Sequence, residues 1–240
     1  MNNFNEERSV LELAKPLLKE IYGDFEVDPD QWDRPDAAII LRGSDDNLQG
    51  ATRRKIGIEI TTVDKHENMQ YLNDEKFQKN LLISQVKSLM EGKAADKRPN
   101  KKISINFPNS YISDGAAKKT TKYQEYNSTG NFDELIVLVF SNYFDLNNFN
   151  LRKYHAVWCS HHLSVAGFPF DKVIFVSTSS AGEAIVVYDK RKPNFNIPKQ
   201  DKGKEVGKEI MRTPILKIGE KYNLNNLFSQ NPVLKPKGKK

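Results

Sequence analysis

Two short segments, Asp33-Arg34-Pro35-Asp36 and Gly57-Ile58-Glu59-Ile60-Thr61, hold residue types that could do chemistry together. Around the second, Ile56, Ile58 and Ile60 alternate with Gly57, Glu59 and Thr61. Successive side chains on a strand point to opposite faces, so the isoleucines share one face and Glu59 and Thr61 the other. Pro35 fixes the backbone just before an apolar run, which projects Asp36 from the mouth of the strand that follows. If those two strands pair, the two carboxylates converge on one point. Hard oxygen ligands at a strand edge suit Mg²⁺, with Mn²⁺ as its substitute, because Mg²⁺ takes one or two carboxylates and keeps its waters. Such an ion polarises a phosphodiester and lowers the pKa of a water, so the chemistry expected is hydrolysis of a nucleic-acid backbone. The competing reading is plainer: Pro35-Asp36 opens a turn, and Glu59 pairs with an arginine on a sheet face.

The elements that must position these residues follow from periodicity. Val10, Leu11, Ala14, Leu17, Leu18 and Ile21 recur at helical spacing over 6–22, with Gly23 as a stop and Pro16 as a kink or a restart near Lys15. Strands are expected at 24–27, 37–41 and 55–62, with 43–49 a loop, and a second helix at 75–91 closed by Gly92. Residues 103–107 read as a short strand, and Ser110 to Asn131, polar and without apolar period, as an exposed loop. Leu135 to Phe140 is a continuous apolar run of the buried-strand kind. Later strands are expected at 156–159, 173–177 and 184–188, the last two forming a hairpin around Ser179 to Gly182. The fold class is α/β, a mixed central sheet flanked by helices with a β-rich C-terminal half. The domains expected are a core over 1–145, a β-rich extension or recognition region over 146–232, and a disordered basic tail over 233–240.

Charge supports a polyanionic partner. The net charge is +6, gathered at Arg53 to Lys55, Lys97 to Lys102, Lys118-Lys119 with Lys122, Lys190 to Lys192 and the tail. Each cluster taken singly reads as a solvated loop. The single cysteine, Cys159, excludes a disulfide framework and a cysteine-based zinc site. No apolar run is long enough for a membrane span, and the N-terminus lacks the pattern of a secretory signal, so a cytoplasmic protein is expected.

At these residues the sequence resembles the PD-(D/E)XK nuclease superfamily, over roughly residues 6–92 with the strand near 135–140 as a fourth core strand. Pro35-Asp36 matches the first element and Glu59-Ile60-Thr61 occupies the second. Asn5-Glu6-Glu7-Arg8, before a leucine-rich helix, looks like the Glu-Arg start of archaeal Holliday-junction resolvases. The resemblance implies a restriction-endonuclease-like core in which Asp36 and Glu59 bind the metal and Glu7 is a third carboxylate. It also implies a lysine that orients the attacking water, and here Thr61 stands in that place. The missing function could come from the next helix, where Lys79 borders the stripe shared by Gln78, Leu82 and Gln85, or from Lys65 just after the strand. Lys79, Gln85 and Lys65 are the residues proposed for that role.

Other constellations carry less. Cys159-Ser160-His161-His162 could be a nucleophile beside histidines, but a buried cysteine with ordinary histidines is favoured, as it is for His66 and His155. Tyr143, Phe144, Phe149 and Tyr154 near Arg152 and Lys153 could stack on bases, though they are more simply core. No glycine-rich phosphate loop is present. The function expected is Mg²⁺-dependent cleavage of DNA, with an endonuclease the first form. The alternative is a silent member of the same fold that binds nucleic acid or a protein. A second copy of the chain is allowed for as a partner, and a membrane is not.

Overall fold

The computed structural model describes residues 3–31, 33–42, 54–73, 75–93, 101–129, 132–144, 149–178, 184–199 and 206–212. The chain divides into two compact units, Met1–Lys65 with Asn106–Lys208, and His66–Ile105 with Glu209–Lys240. The first unit is a mixed α/β domain built on a six-stranded sheet. The second contains two helices, α2 (His66–Asn73) and α3 (Glu75–Met90). Strands β4 (Lys101–Phe107) and β8 (Val206–Arg212) form a separate two-stranded sheet.

The large sheet runs β1 (Phe25–Val27), β2 (Ala37–Leu41), β3 (Lys55–Thr62), β5 (Glu134–Ser141), β6 (Lys172–Ser177) and β7 (Ala184–Asp189) in that order. β3, β5 and β6 are parallel, which buries them on both faces and explains the unbroken apolar run from Leu135 to Phe140. β1 and β2 join antiparallel on one side and β7 on the other. The alternation in β3 has the expected effect. Ile56, Ile58 and Ile60 face helix α1 (Asn3–Tyr22), packing with Val10, Leu11, Ala14 and Leu18 in one core. The opposite face, which carries Glu59, is covered by α4 (Tyr111–Ala117), α5 (Tyr123–Thr129) and α6 (Phe149–Val165).

At the start of β5 the buried Glu134 gathers the sheet's lower edge. It accepts from Lys172 at 2.7 Å, Tyr22 at 2.8 Å, Arg54 at 3.1 Å and Arg191 at 2.5 Å. Burial alone would raise its pKa, but the Lys172 and Tyr22 hydrogen bonds and the charges of Lys172 and Arg191 hold it below the ordinary value.

Three local readings are corrected. Ser110 to Asn131 is not an exposed loop. It forms α4, a single 3₁₀ turn at Thr120–Lys122 and α5, with Tyr111, Ile112, Ala116 and Tyr126 buried. Residues 156–159 are not a strand but the middle of α6, where Trp158 and Cys159 are buried. α1 runs unbroken through Pro16, whose ring lies on the exposed side, so no restart occurs at Lys15. β6 and β7 pair antiparallel as the hairpin reading required. The expected loop at 43–49, the turn at 179–182 and the tail at 233–240 lie outside the described residues. Among the described residues no helix is long and apolar enough to cross a membrane.

Candidate functional site

The β2–β3 register brings the two acidic residues together. Ala37 pairs with Ile58, so one step further along the antiparallel ladder sets Asp36 beside Glu59. The Ile60 N–H donates to Asp36 Oδ2 at 2.6 Å, which fixes the carboxylate over the neighbouring strand. Glu59 is 2% exposed. An ionised carboxylate that deep requires a counter-charge, and Lys119 supplies it, its Nζ donating to Glu59 Oε1. Glu59 Oε2 is also buried and makes no hydrogen bond. The Tyr126 hydroxyl lies near it: burial first, and then the Glu59 carboxylate, push its ionisation far above the tyrosine range.

Glu7, on the first turns of α1, belongs to the same group. Its carboxyl is raised by burial, lowered by the Lys119 charge and raised again by Glu59. Asp36 is pushed up to about 6, first by burial and then by Glu59, against the opposing Ile60 N–H and Lys119. Lys119 is paired with Glu59, and its charge also acts on Asp36 and Glu7.

Lys119 reaches Glu59 because α4 is held closely to the end of β3. Gly115 packs against Val63. A Cβ at that position would run into the Val63 side chain and stand 3.1 Å from its Cα, so only glycine allows this approach. One turn earlier, the Tyr111 hydroxyl donates to the buried Asp64 at 2.5 Å. Ser141 Oγ and the Asn142 N–H donate to the same carboxylate at 2.7 and 2.8 Å. Val63 and Asp64 directly follow β3, so the strand that bears Glu59 also grips the helix that delivers its lysine. Across the site, Arg34 donates to Glu125 of α5 at 3.2 Å, linking the Asp36 turn to the same layer.

Of the residues expected from sequence, Asp36 and Glu59 lie side by side on paired strands, and Glu7 is near enough for the Glu59 charge to act on it. The lysine beside them is Lys119, from a segment read as a loop. Lys65 is exposed past the end of β3. Lys79 and Gln85 lie on α3, in the second unit. Thr61 is half-buried and pairs with Val139. The only sequence signal for Lys119 was its membership of the Lys118-Lys119-Lys122 cluster.

The other constellations have structural roles. His155 is fully buried, with both ring nitrogens unpartnered and its pKa pushed down by burial to about 4, so it stays neutral. Its ring packs on Phe144, which also meets Phe107 and Phe175 edge to face and Tyr111 at a tilt. Tyr143 and Phe144 are therefore core, and the side chains of Phe149 and Arg152 lie outside the described residues. Cys159 is buried, and burial pushes its thiol up, away from nucleophilic use. Arg53, Lys97, Arg98 and the tail lysines also fall outside the described residues.

Fold and site together define a mixed α/β domain with a carboxylate–lysine cluster on one face of its sheet. The chain matches no protein-family model, no curated protein and no solved structure.

Proposed function

We propose that this protein is a divalent-metal-dependent nuclease of the PD-(D/E)XK type, hydrolysing phosphodiester bonds of DNA. The observation that carries this reading is the meeting of Asp36, Glu59 and Lys119, from three separate elements. Aspartate, glutamate and lysine are the three residue types the resemblance demands, and the lysine that Thr61 withholds arrives from another part of the chain.

The residues fit Mg²⁺ or Mn²⁺. Glu59 Oε2 is a buried oxygen close to the Tyr126 hydroxyl, Asp36 is beside Glu59, and Glu7 is near enough to feel the same charges. Among the described residues no three such side chains close into a metal-holding group, which leaves a two-carboxylate site completed by solvent. When bound, the ion would supply a Lewis acid for the phosphodiester and for water. The chain does the rest. The Ile60 N–H holds the Asp36 rotamer, and Lys119 pairs with Glu59. The same ammonium, 26% exposed, can turn from Glu59 toward an attacking water or the phosphate.

The test is cleavage of plasmid and oligonucleotide DNA, with RNA in parallel, in Mg²⁺ and in Mn²⁺. Metal-dependent cutting reduced on the order of 100-fold or more in Asp36→Ala and in Glu59→Ala supports the reading. A second reading, a silent member of the fold that only binds, is favoured by one feature: Thr61 stands where the resemblance calls for a lysine. Nucleic-acid binding with no cutting in either metal selects it.

A further inference from the structure

Arg34 holds a backbone conformation that its own side chain makes costly. Its φ is 58°, and among the described residues every other positive φ belongs to a glycine. In that region the Cβ crowds the backbone, which glycine would avoid. Strain of this kind persists only where the surrounding structure over-determines it, and it gathers at functional sites. Glycine would serve the turn better, so the destination of the guanidinium is informative.

Pro35 sets where the arginine sits. Its ring packs on β3, since a Cβ at Gly57 would stand 3.1 Å from Pro35 Cγ. Gly57 and Glu59 lie two residues apart on one face of that strand, so the turn is seated on the face that carries Glu59. From there Arg34 Nη1 donates to Glu125 Oε1 on α5 at 3.2 Å. Tyr126, the next residue of α5, lies near the Glu59 carboxylate. The guanidinium thus spans from the Asp36 turn to the helix beside Glu59.

A phosphodiester arriving at this site needs a cation there. Asp36, Glu59 and Glu7 oppose it with like charge, and Lys119 is paired with Glu59. Arg34 can be released at little cost. It is 65% exposed, and its partners Asp33 and Glu125 are 78% and 37% exposed, the kind of pair that contributes little. Glu125 keeps a cation when Arg34 leaves, because Lys122 Nζ also donates to it, at 3.4 Å. A phosphate offers the planar guanidinium a bidentate, charge-assisted partner in place of that hydrogen bond.

We propose that Arg34 is a substrate-binding residue that exchanges Glu125 for a backbone phosphate of DNA lying at Asp36 and Glu59, an assignment that rests on the nuclease reading for the identity of its polyanion. The chain then holds its substrate through a cation separate from the lysine paired with Glu59.

The test is binding of a labelled DNA duplex, followed by fluorescence anisotropy at one fixed Ca²⁺ concentration, with Ca²⁺ as the hard cation on the carboxylates. Arg34→Gln removes the charge and keeps the backbone. It is expected to bind about tenfold more weakly than wild type at ~0.05 M KCl. That deficit should shrink about eightfold by ~0.5 M KCl, because one phosphate contact carries a slope of about −0.9. Arg34→Lys should keep the wild-type salt dependence. Arg34→Gly should bind as weakly as Arg34→Gln yet melt at or above wild type, since the strain leaves with the side chain. An absence of DNA binding by wild type, unchanged affinity and salt dependence in Arg34→Gln, or an Arg34→Gly chain that melts below wild type would each overturn the assignment. Weakened binding in Arg34→Gln, with no cutting by wild type in Mg²⁺ or Mn²⁺, would sink the nuclease reading and leave Arg34 standing as a phosphate contact.

Discussion

Replacing Asp36 by asparagine should make the metal-free protein more stable. In the folded state Asp36 is raised from 3.8 to about 6, by burial first and by Glu59 second. A group held more than two units above its ordinary value costs up to ~3 kcal/mol when it ionises in the fold, at 1.36 kcal/mol per unit. Asp36 is partly open to solvent, which screens the charge, so about 1–2 kcal/mol is the realistic figure. The sign follows from linkage. Below about pH 4 the carboxyl is protonated in both states and costs nothing. Between about 4 and 6 the folded form binds the extra proton, so stability falls as pH rises, and above 6 the whole cost is present. Asparagine removes the charge and keeps an oxygen to accept the Ile60 N–H. Melting in EDTA should place Asp36→Asn roughly 2–8 °C above wild type at pH 7.5, with the gap closing toward pH 4. Mn²⁺ should then raise the wild type and not the variant. A variant that melts at or below wild type at pH 7.5 would show that Asp36 is a structural anchor, and the metal-site argument would lose its main electrostatic support.

Further consequences can be checked the same way. Lys119→Met leaves Glu59 buried without its counter-charge, so the metal-free protein should lose about 2–4 kcal/mol in urea unfolding. Mn²⁺ should restore most of that loss, while kcat stays on the order of 100-fold down. Gly115→Ala places a methyl against Val63 and should cost roughly 1–3 kcal/mol. If α4 is what aims Lys119, kcat should fall at temperatures where the variant is fully folded, with KM little changed. Glu134→Gln strips the buried Lys172 of its anion and should destabilise by about 2–4 kcal/mol at pH 7. Because Glu134 is depressed, its contribution is complete above the unfolded value near 4.5 and disappears as pH falls through the lower folded value. Wild type and variant should then converge in acid unfolding, and a gap that persists at pH 2 would contradict the assignment.

The strands were legible where side chains obey one simple rule. The spans 37–41 and 55–62 are those of β2 and β3, because isoleucines alternating with Gly57, Glu59 and Thr61 leave one pleated arrangement. The alternation put Glu59 on the face opposite the isoleucines, but its place beside Asp36 depended on β2 and β3 pairing, which their register now supplies. The helices on the other face were harder. α4 spans 7 residues and contains Gly115, which reads as a breaker until its contact with Val63 is seen. Ala156 to Cys159 is a four-residue apolar run, and such a run does not distinguish a strand from a buried turn of helix. Here the flanks decide for helix: α6 packs against α4 and β7, and 17 residues take part.

Lys119 was out of reach for a different reason. It is 60 residues from Glu59, and no local pattern connects the two. The connection is tertiary, carried by Gly115 on Val63 and Tyr111 on Asp64. A lysine two residues after Glu59 would have been positioned by the pleat alone, since side chains two apart share a face. Thr61 occupies that place. An ammonium brought instead by a helix clamped to the strand's end needs more of the fold to be correct: Gly115 must reach Val63 and Tyr111 must reach Asp64 before Lys119 can meet Glu59. Lys119 compensates a buried charge, whereas Asp36 carries one that burial and Glu59 oppose. That difference is why Lys119→Met and Asp36→Asn should move metal-free stability in opposite directions while both reduce cutting.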